Sequence, residues 1–309
     1  MEGRKSTIIA SIAILACFAI TWGVQGAILL NIENIKSEGT QGEVVFITIS
    51  GSTTCFPIIE EAANVYMDNH SNYEIRVSAG GSSTGIKNAG EEISDIGMAS
   101  RDIKSSENES YNYELIDYKF ASDGIAVIFD KDATHGVTNL TIEQVFLIYN
   151  HTYLYWDDGD LGGLSHTLID VVTRAEGSGT RSSFEELITY DGEILGDNLG
   201  YISNVGGYTT YPDNPAVAAY VAGHPTAIGY CGLGFVDEAQ HLPVPISDNG
   251  IDYYAPTVAN VKAGIYPISR FLHLVTRGLP NAGTQAFIDF IYGPTGQLIV
   301  ANEGFVTLY

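Results

Sequence analysis

The sequence predicts an α/β protein built on largely parallel sheets, because short β-rich runs alternate with runs of helical periodicity along most of the chain. A recurrence supports this: three strands end in a Gly/Ser/Thr-rich turn that opens directly into a helix. Length sets the scale. Beyond an apolar N-terminal stretch, enough of the 309 residues remain for two modest domains or one large one. No repeat of solenoid period is visible.

Residues 1–7 are polar and carry Arg4 and Lys5, and Ile8 to Leu30 carry no charge. That run is about long enough to cross a bilayer as one helix. Two readings of residues 1–31 stay open: a retained membrane anchor, or a signal peptide cut near Gly26 or Ala27. The basic flank precedes the run, so both place the rest of the chain outside the cytoplasm. Cys17 lies within the run, but Leu15 and the apolar residues beyond it fit a lipidation signal poorly. Residues 32–42 read as a polar linker.

The elements then follow in order. Val44–Ile49, Tyr73–Val77, Asp95–Ala99, Ile125–Phe129, Leu168–Thr173, Ala227–Tyr230 and Phe271–Thr276 read as strands. Pro57–His70 places Ile58, Ile59, Ala62, Ala63 and Tyr66 at helical spacing, and Thr84–Ile93 reads as a short helix. Thr141 followed by Gln144 predicts a capping box, and Asn214-Pro215 predicts a helix with Pro in its first position. Thr284–Tyr292 and Thr295–Asn302 read as late helices.

The three turns are Ser50-Gly51-Ser52-Thr53-Thr54-Cys55-Phe56-Pro57, Gly80-Gly81-Ser82-Ser83-Thr84-Gly85 and Arg174-Ala175-Glu176-Gly177-Ser178-Gly179-Thr180. A helix N-terminus presents N–H groups without partners and partial positive charge. Gly lets backbone approach a ligand closely, and Ser or Thr adds a hydroxyl. Each turn alone is accounted for by an ordinary helix cap. Three together, with Arg174 beside the third, point to an oxyanion site at the carboxyl ends of the strands.

Charge sharpens this. The chain has 14 Lys plus Arg against 37 Asp plus Glu, a net charge of −23. No basic cluster follows residue 5, which excludes nucleic acid and an anionic lipid surface as partners. An anion must be held by aimed local donors against the overall field. Enzyme signatures are missing: the chain has no Gly-Lys-Ser/Thr loop, no His-Glu-x-x-His and no paired-cysteine zinc motif, and no Gly-x-Ser-x-Gly elbow places a Ser before a plausible base. Asp157, Asp158 and Asp160 lack the spacing of an EF-hand loop and read as a solvated turn. Cys55 and Cys231 are either a disulfide or two small buried residues.

At the three turns the sequence resembles the PstS family of phosphate-binding proteins, the receptors of the phosphate ABC transporter. The resemblance runs from about Val44 to the C-terminus. ISGSTTCFP is similar to the family's first phosphate loop, GGSSTGIKN to the second and RAEGSGTRSSF to the third; DIGMASRDI, NPAVAAYVAGHPTAIGY and YPIS also fit. It implies a two-domain, hinged periplasmic-binding-protein fold of type II with a central cleft. Domain I would be 43–122 plus 266–309 and domain II 123–265, with crossings at Lys119–Asp123 and near Tyr266-Pro267.

The implied function is extracytoplasmic capture of inorganic phosphate and its delivery to a membrane permease of an ABC transporter, by a monomer without catalysis, cofactor or metal. The residues carried over are Ser52, Thr53, Thr54, Cys55 and Phe56 (the last two through backbone N–H), then Ser82, then Arg174, Ser178, Gly179 and Thr180. Arg101 and Asp102 join them from DIGMASRDI. Two departures stand out. Cys55 replaces a Thr of better-known members, and Arg101 stands where some members place an Asp after Ala-Ser. A carboxylate that accepts the phosphate proton would exclude sulfate; Asp102 and Glu176 are the two candidates. The alternatives are a receptor for sulfate, molybdate or tungstate on the same scaffold, and an exported phosphoester hydrolase.

Overall fold

In the structure, a computed structural model, residues 43–198 and 208–309 are described. The apolar N-terminal run and the linker lie outside them. Among the described residues no helix is long and apolar enough to cross a membrane.

Strand β1 (Val45–Gly51) leads into helix α1 (Phe56–Asn69), then β2 (Tyr73–Ala79), α2 (Ser82–Gly90), β3 (Ile96–Ala99) and α3 (Ser105–Ser110). The long strand β4 (Leu115–Asp130) follows, then β5 (Leu140–Thr141), α4 (Ile142–Tyr149), β6 (Asp170–Arg174) and α5 (Gly179–Leu187). A small hairpin of β7 (Thr189–Tyr190) and β8 (Glu193–Ile194) precedes α6 (Leu195–Asn198). After β9 (Thr209–Tyr211) come α7 (Asn214–Val221), β10 (Ala227–Gly232), β11 (His241–Pro243), β12 (Ile246–Ser247) and α8 (Val258–Lys262). Strand β13 (Ser269–Arg277) and helices α9 (Ala282–Tyr292) and α10 (Pro294–Asn302) complete the chain.

Local chemistry explains these elements. In β1, Ile47 and Ile49 are buried while Phe46 and Thr48 face out, the period of a strand covered on one side. In α1 the five apolar residues at helical spacing are all buried, and Pro57 sits in the first turn. The capping box of α4 is present: Gln144 N–H donates to Thr141 Oγ1 at 3.1 Å and Thr141 N–H to Gln144 Oε1 at 2.9 Å. In α7 the cap is Asp213, whose carboxylate accepts from Ala216 N–H at 2.8 Å. Pro215 therefore occupies the second helical position, not the first, because the Asn214 side chain is taken up by Arg174 and Thr54 and Asp213 caps the helix instead.

The main sheet has the order β2-β1-β3-β13-β4-β10-β6-β9, with β11 also against β4. The sheet is mixed, not largely parallel. Pairs β1–β2, β1–β3, β10–β6 and β6–β9 are parallel, but β13 pairs antiparallel with β3 and β4, and β10 antiparallel with β4. The reason is β4, which stays extended for 16 residues and is met in the opposite sense by the returning β13. It supplies two cores. Phe120 and Ala121 join Ile47, Ile59, Leu272 and Phe287. Ile125, Val127 and Phe129 join Val145, Trp156, Phe184 and Tyr230.

Candidate functional site

The three turns meet. Each lies at the carboxyl end of its strand: β1, β2 and β6. Ser83 N–H donates to Gly177 O at 3.2 Å, tying the second turn to the third. The approach is close enough that a Cβ on Gly179 would lie 2.1 Å from Ser82 Oγ and 2.7 Å from Ser100 Oγ. Only glycine fits there. Ser82, Ser100, Ser178 and Thr180 are buried. Ser178 caps α5, its Oγ accepting from Arg181 N–H at 3.2 Å. The Gly179 and Thr180 N–H groups are then first-turn donors that meet no carbonyl among the described residues.

Thr54 joins the first turn to this point. Its Oγ1 lies 3.0 Å from Thr180 Oγ1, accepts from Asn214 Nδ2 at 2.8 Å and accepts from Arg270 Nη2 at 3.3 Å. Arg174 is buried, and donates through Nη1 to Asn214 Oδ1 at 2.5 Å and through Nη2 to Thr53 Oγ1 at 3.1 Å and Pro212 O at 2.9 Å. Its Nε is buried without a partner among the described residues. Because Asn214 Oδ1 receives Arg174, its Nδ2 must face Thr54. Thr54 Oγ1 thus accepts twice, and its own proton can only be donated. The network turns hydroxyls into donors, which suits an anion.

Arg270 completes it. It donates twice to Asp123 Oδ2, at 3.1 and 2.7 Å, and also to Ser100 O at 3.0 Å and Thr180 Oγ1 at 3.1 Å. Asp123 is 0% exposed, and its Oδ1 accepts from Leu233 N–H at 3.0 Å. Burial pushes the Asp123 carboxyl up, with Arg270 opposing. Burial, with Arg270 nearby, pushes the Arg174 guanidinium down to about 10, so it stays charged at neutral pH. Two guanidiniums against one carboxylate make this spot locally positive in a chain of net charge −23.

Several sequence expectations need correction. Asp102 faces solvent with its side chain 78% exposed and Oδ1 3.7 Å from Lys119 Nζ. Glu176 is exposed as well. Neither meets the cluster; its one buried carboxylate is Asp123. Arg101 is buried but forks onto Glu107, at 2.8 and 2.7 Å, and gives Nη2 to Ser83 Oγ at 3.0 Å. It braces the second turn with its charge already paired. Burial works to raise the Glu107 carboxyl, but Arg101 and the Lys104 N–H hold it below its usual value.

In the first turn, Ser52 Oγ collects the N–H groups of Thr54 and Cys55 at 3.2 and 3.4 Å, and Ser52 O takes that of Phe56 at 3.1 Å. The turn therefore presents the Thr53 and Thr54 hydroxyls rather than the Cys55 and Phe56 N–H groups. The Phe56 ring packs on the first core. Cys55 donates to Ala99 O at 3.4 Å, and burial pushes its thiol up to about 12. Cys55 and Cys231 are both buried and unpaired, so the disulfide reading fails.

Sequence reasoning missed Asp123, Asn214 and Arg270 as members of the cluster. A signal existed: Asp123 interrupts the otherwise apolar run after Phe120, and Arg270 directly follows Tyr-Pro-Ile-Ser.

A mixed sheet that carries convergent helix N-termini around a buried, positively charged spot defines a solute-binding protein. A family model described as a PBP superfamily domain matches residues 35–295. The phosphate-binding protein PstS of Bacillus subtilis is 28% identical over 262 residues, covering 84% of this chain and 80% of the relative. That of Borreliella burgdorferi is 30% identical over 261 residues, covering 84% of this chain and 89% of the relative. The chain belongs to the PBP superfamily and, within it, to the PstS family.

Solved structures agree. An ABC-type phosphate transport receptor from Vibrio cholerae is similar with a TM-score of 0.67 at 28% identity, covering 84% of this chain and 99% of that one. A protein from Clostridium perfringens, described as a phosphate ABC transporter substrate-binding protein with bound phosphate, matches with a TM-score of 0.73 at 33% identity, covering 85% and 100%. The fold is that of a type II periplasmic-binding protein, as the resemblance implied.

Proposed function

We propose that the protein captures inorganic phosphate and passes it to an ABC-type permease, acting as a receptor rather than a catalyst. The observation that carries this reading is the buried Arg174, whose Nε has no partner among the described residues, set among hydroxyls that the surrounding network leaves as donors. The phosphate-binding names of its relatives and structural neighbours support the choice of anion. The ligand sits among Thr53, Thr54, Ser82, Arg174, Ser178, Gly179 and Thr180, with Arg270 and Asp123 behind them. Cleft opening divides the chain at β4 and near Tyr266-Pro267, into 43–122 plus 266–309 and 123–265. The protein works outside the cytoplasm as a monomer, held at the membrane or released according to the fate of residues 1–31. Calorimetric titration with phosphate, sulfate and molybdate tests this: phosphate should bind at least tenfold tighter than either. Tight sulfate binding with no phosphate heat would sink the reading, and turnover of a phosphoester by the pure protein would replace it.

A further inference from the structure

We propose that His273 and Asp102 form a binding site for a divalent transition-metal ion, Zn2+ being the best match, with Asp117 orienting the imidazole. The site shares a cavity wall with Arg270 of the anion cluster but rests on its own geometry. Strand β13 shifts register against β4 between Leu272 and His273, an irregularity of the kind that re-aims a side chain. The His273 side chain is 1% exposed, with Nδ1 2.8 Å from Asp117 Oδ1 and Nε2 3.5 Å from Asp102 Oδ1.

A carboxylate only accepts, so the Asp117 contact places the proton on Nδ1. The Nε2 lone pair then points at a second carboxylate oxygen, too far for a good hydrogen bond. With no proton on Nε2, two acceptors face one another, and a metal cation between them resolves the conflict. A carboxylate on one ring nitrogen with the metal on the other is a common arrangement, because it sets the tautomer and raises ligand basicity.

The spacing fits. Zinc bonds of about 2.0–2.1 Å at a tetrahedral angle put neighbouring ligand atoms roughly 3.3 Å apart, close to the 3.5 Å between Nε2 and Asp102 Oδ1. Ligand atoms of the three residues all lie within 4.8 Å of one another. A cavity of about 360 Å³, lined by Asp102, His273, Ser122, Ser183, Glu186 and Arg270, leaves room for water to complete the coordination. One imidazole with one carboxylate favours a transition metal over Mg2+ or Ca2+, which require more oxygen ligands. The cavity also carries Arg101 and Arg270, each already paired with a carboxylate, Glu107 and Asp123; the nearer competing charge is Lys119, whose Nζ lies 3.7 Å from Asp102 Oδ1 and 4.5 Å from the centre of the Phe271 ring. Its side chain is 45% exposed and free to turn away.

The test is titration of the chelator-stripped protein with Zn2+ by calorimetry in phosphate-free buffer, and with Co2+ by its visible absorption. One ion per chain is expected. Asp102→Asn, a surface change that spares the fold, should weaken binding at least tenfold. Lys119→Ala should tighten it severalfold by removing the rival cation, which a purely structural contact would not do. Absence of one-to-one binding, or equal affinity in the parent and Asp102→Asn, would overturn the proposal and leave a proton on Nε2 as the bridging charge.

Discussion

Arg174→Ala tests the anion site most directly. In the structure Arg174 holds Asn214, Pro212 O and Thr53 and keeps Nε in reserve. A hydrogen bond to a charged group contributes about 1.5–3 kcal/mol. Loss of the Nε contact to the anion would cost about 1.5–3 kcal/mol, roughly ten- to a hundredfold in Kd. Stability should change much less. The substitution leaves Asn214 Oδ1 and Pro212 O without a donor, but it also removes a guanidinium that burial disfavours. Calorimetric Kd for phosphate and thermal unfolding of the free protein separate the two effects. Arg174→Lys keeps the charge and loses the fork, so it should recover only part of the affinity. A Kd for Arg174→Ala within threefold of the parent, in a folded protein, would remove Arg174 from the site. Full recovery in Arg174→Lys would show that charge alone matters and refute the geometric argument.

Gly179→Ala drives a methyl group into Ser82 and Ser100, so it should weaken phosphate binding at least tenfold in calorimetry while each core stays intact. Asp123→Asn breaks a buried ion pair and should cost about 3 kcal/mol, read as a fall in Tm of roughly 6 to 12 °C. The Glu107 carboxyl lies below its usual value, so its contribution is present above the unfolded pKa and disappears as pH falls through the folded one. The Tm deficit of Glu107→Gln should therefore be clear at pH 7 and shrink towards pH 3. Burial pushes the His135 imidazole, stacked on Trp156 at 3.8 Å, down to about 4 from 6.5. The unfolded chain takes up that proton first, so stability should fall by on the order of 2 kcal/mol between pH 6.5 and 4. Urea titrations of the parent and His135→Phe should diverge in that window.

Local chemistry was legible in the sequence wherever the deciding contacts are local. The alternation in β1, the buried face of α1 and the capping box of α4 each depend on residues a few positions apart. The three turns and Arg174 were legible for the same reason, since a turn, its hydroxyls and the helix it opens form one stretch of chain. The acceptor assignment failed because it depended on direction. Asp102 lies next to buried Arg101, yet its carboxylate turns to solvent and Lys119.

Composition and pattern by themselves determined an α/β chain, strongly acidic, with three anion-ready helix starts and Arg174 beside the third. Only the tertiary structure decided which groups share a site. Arg270 and Asp123 are 147 positions apart, and Thr54 and Asn214 160 apart. The first pair is joined by the antiparallel register of β13 on β4, which places Arg270 opposite Asp123. A shift of one residue in that register would leave Arg270 and Asp123 on opposite faces of the sheet. Periodicity records which face of an element is buried. It does not record which distant strand lies beside it, and that neighbour sets the charge and the donors of this site.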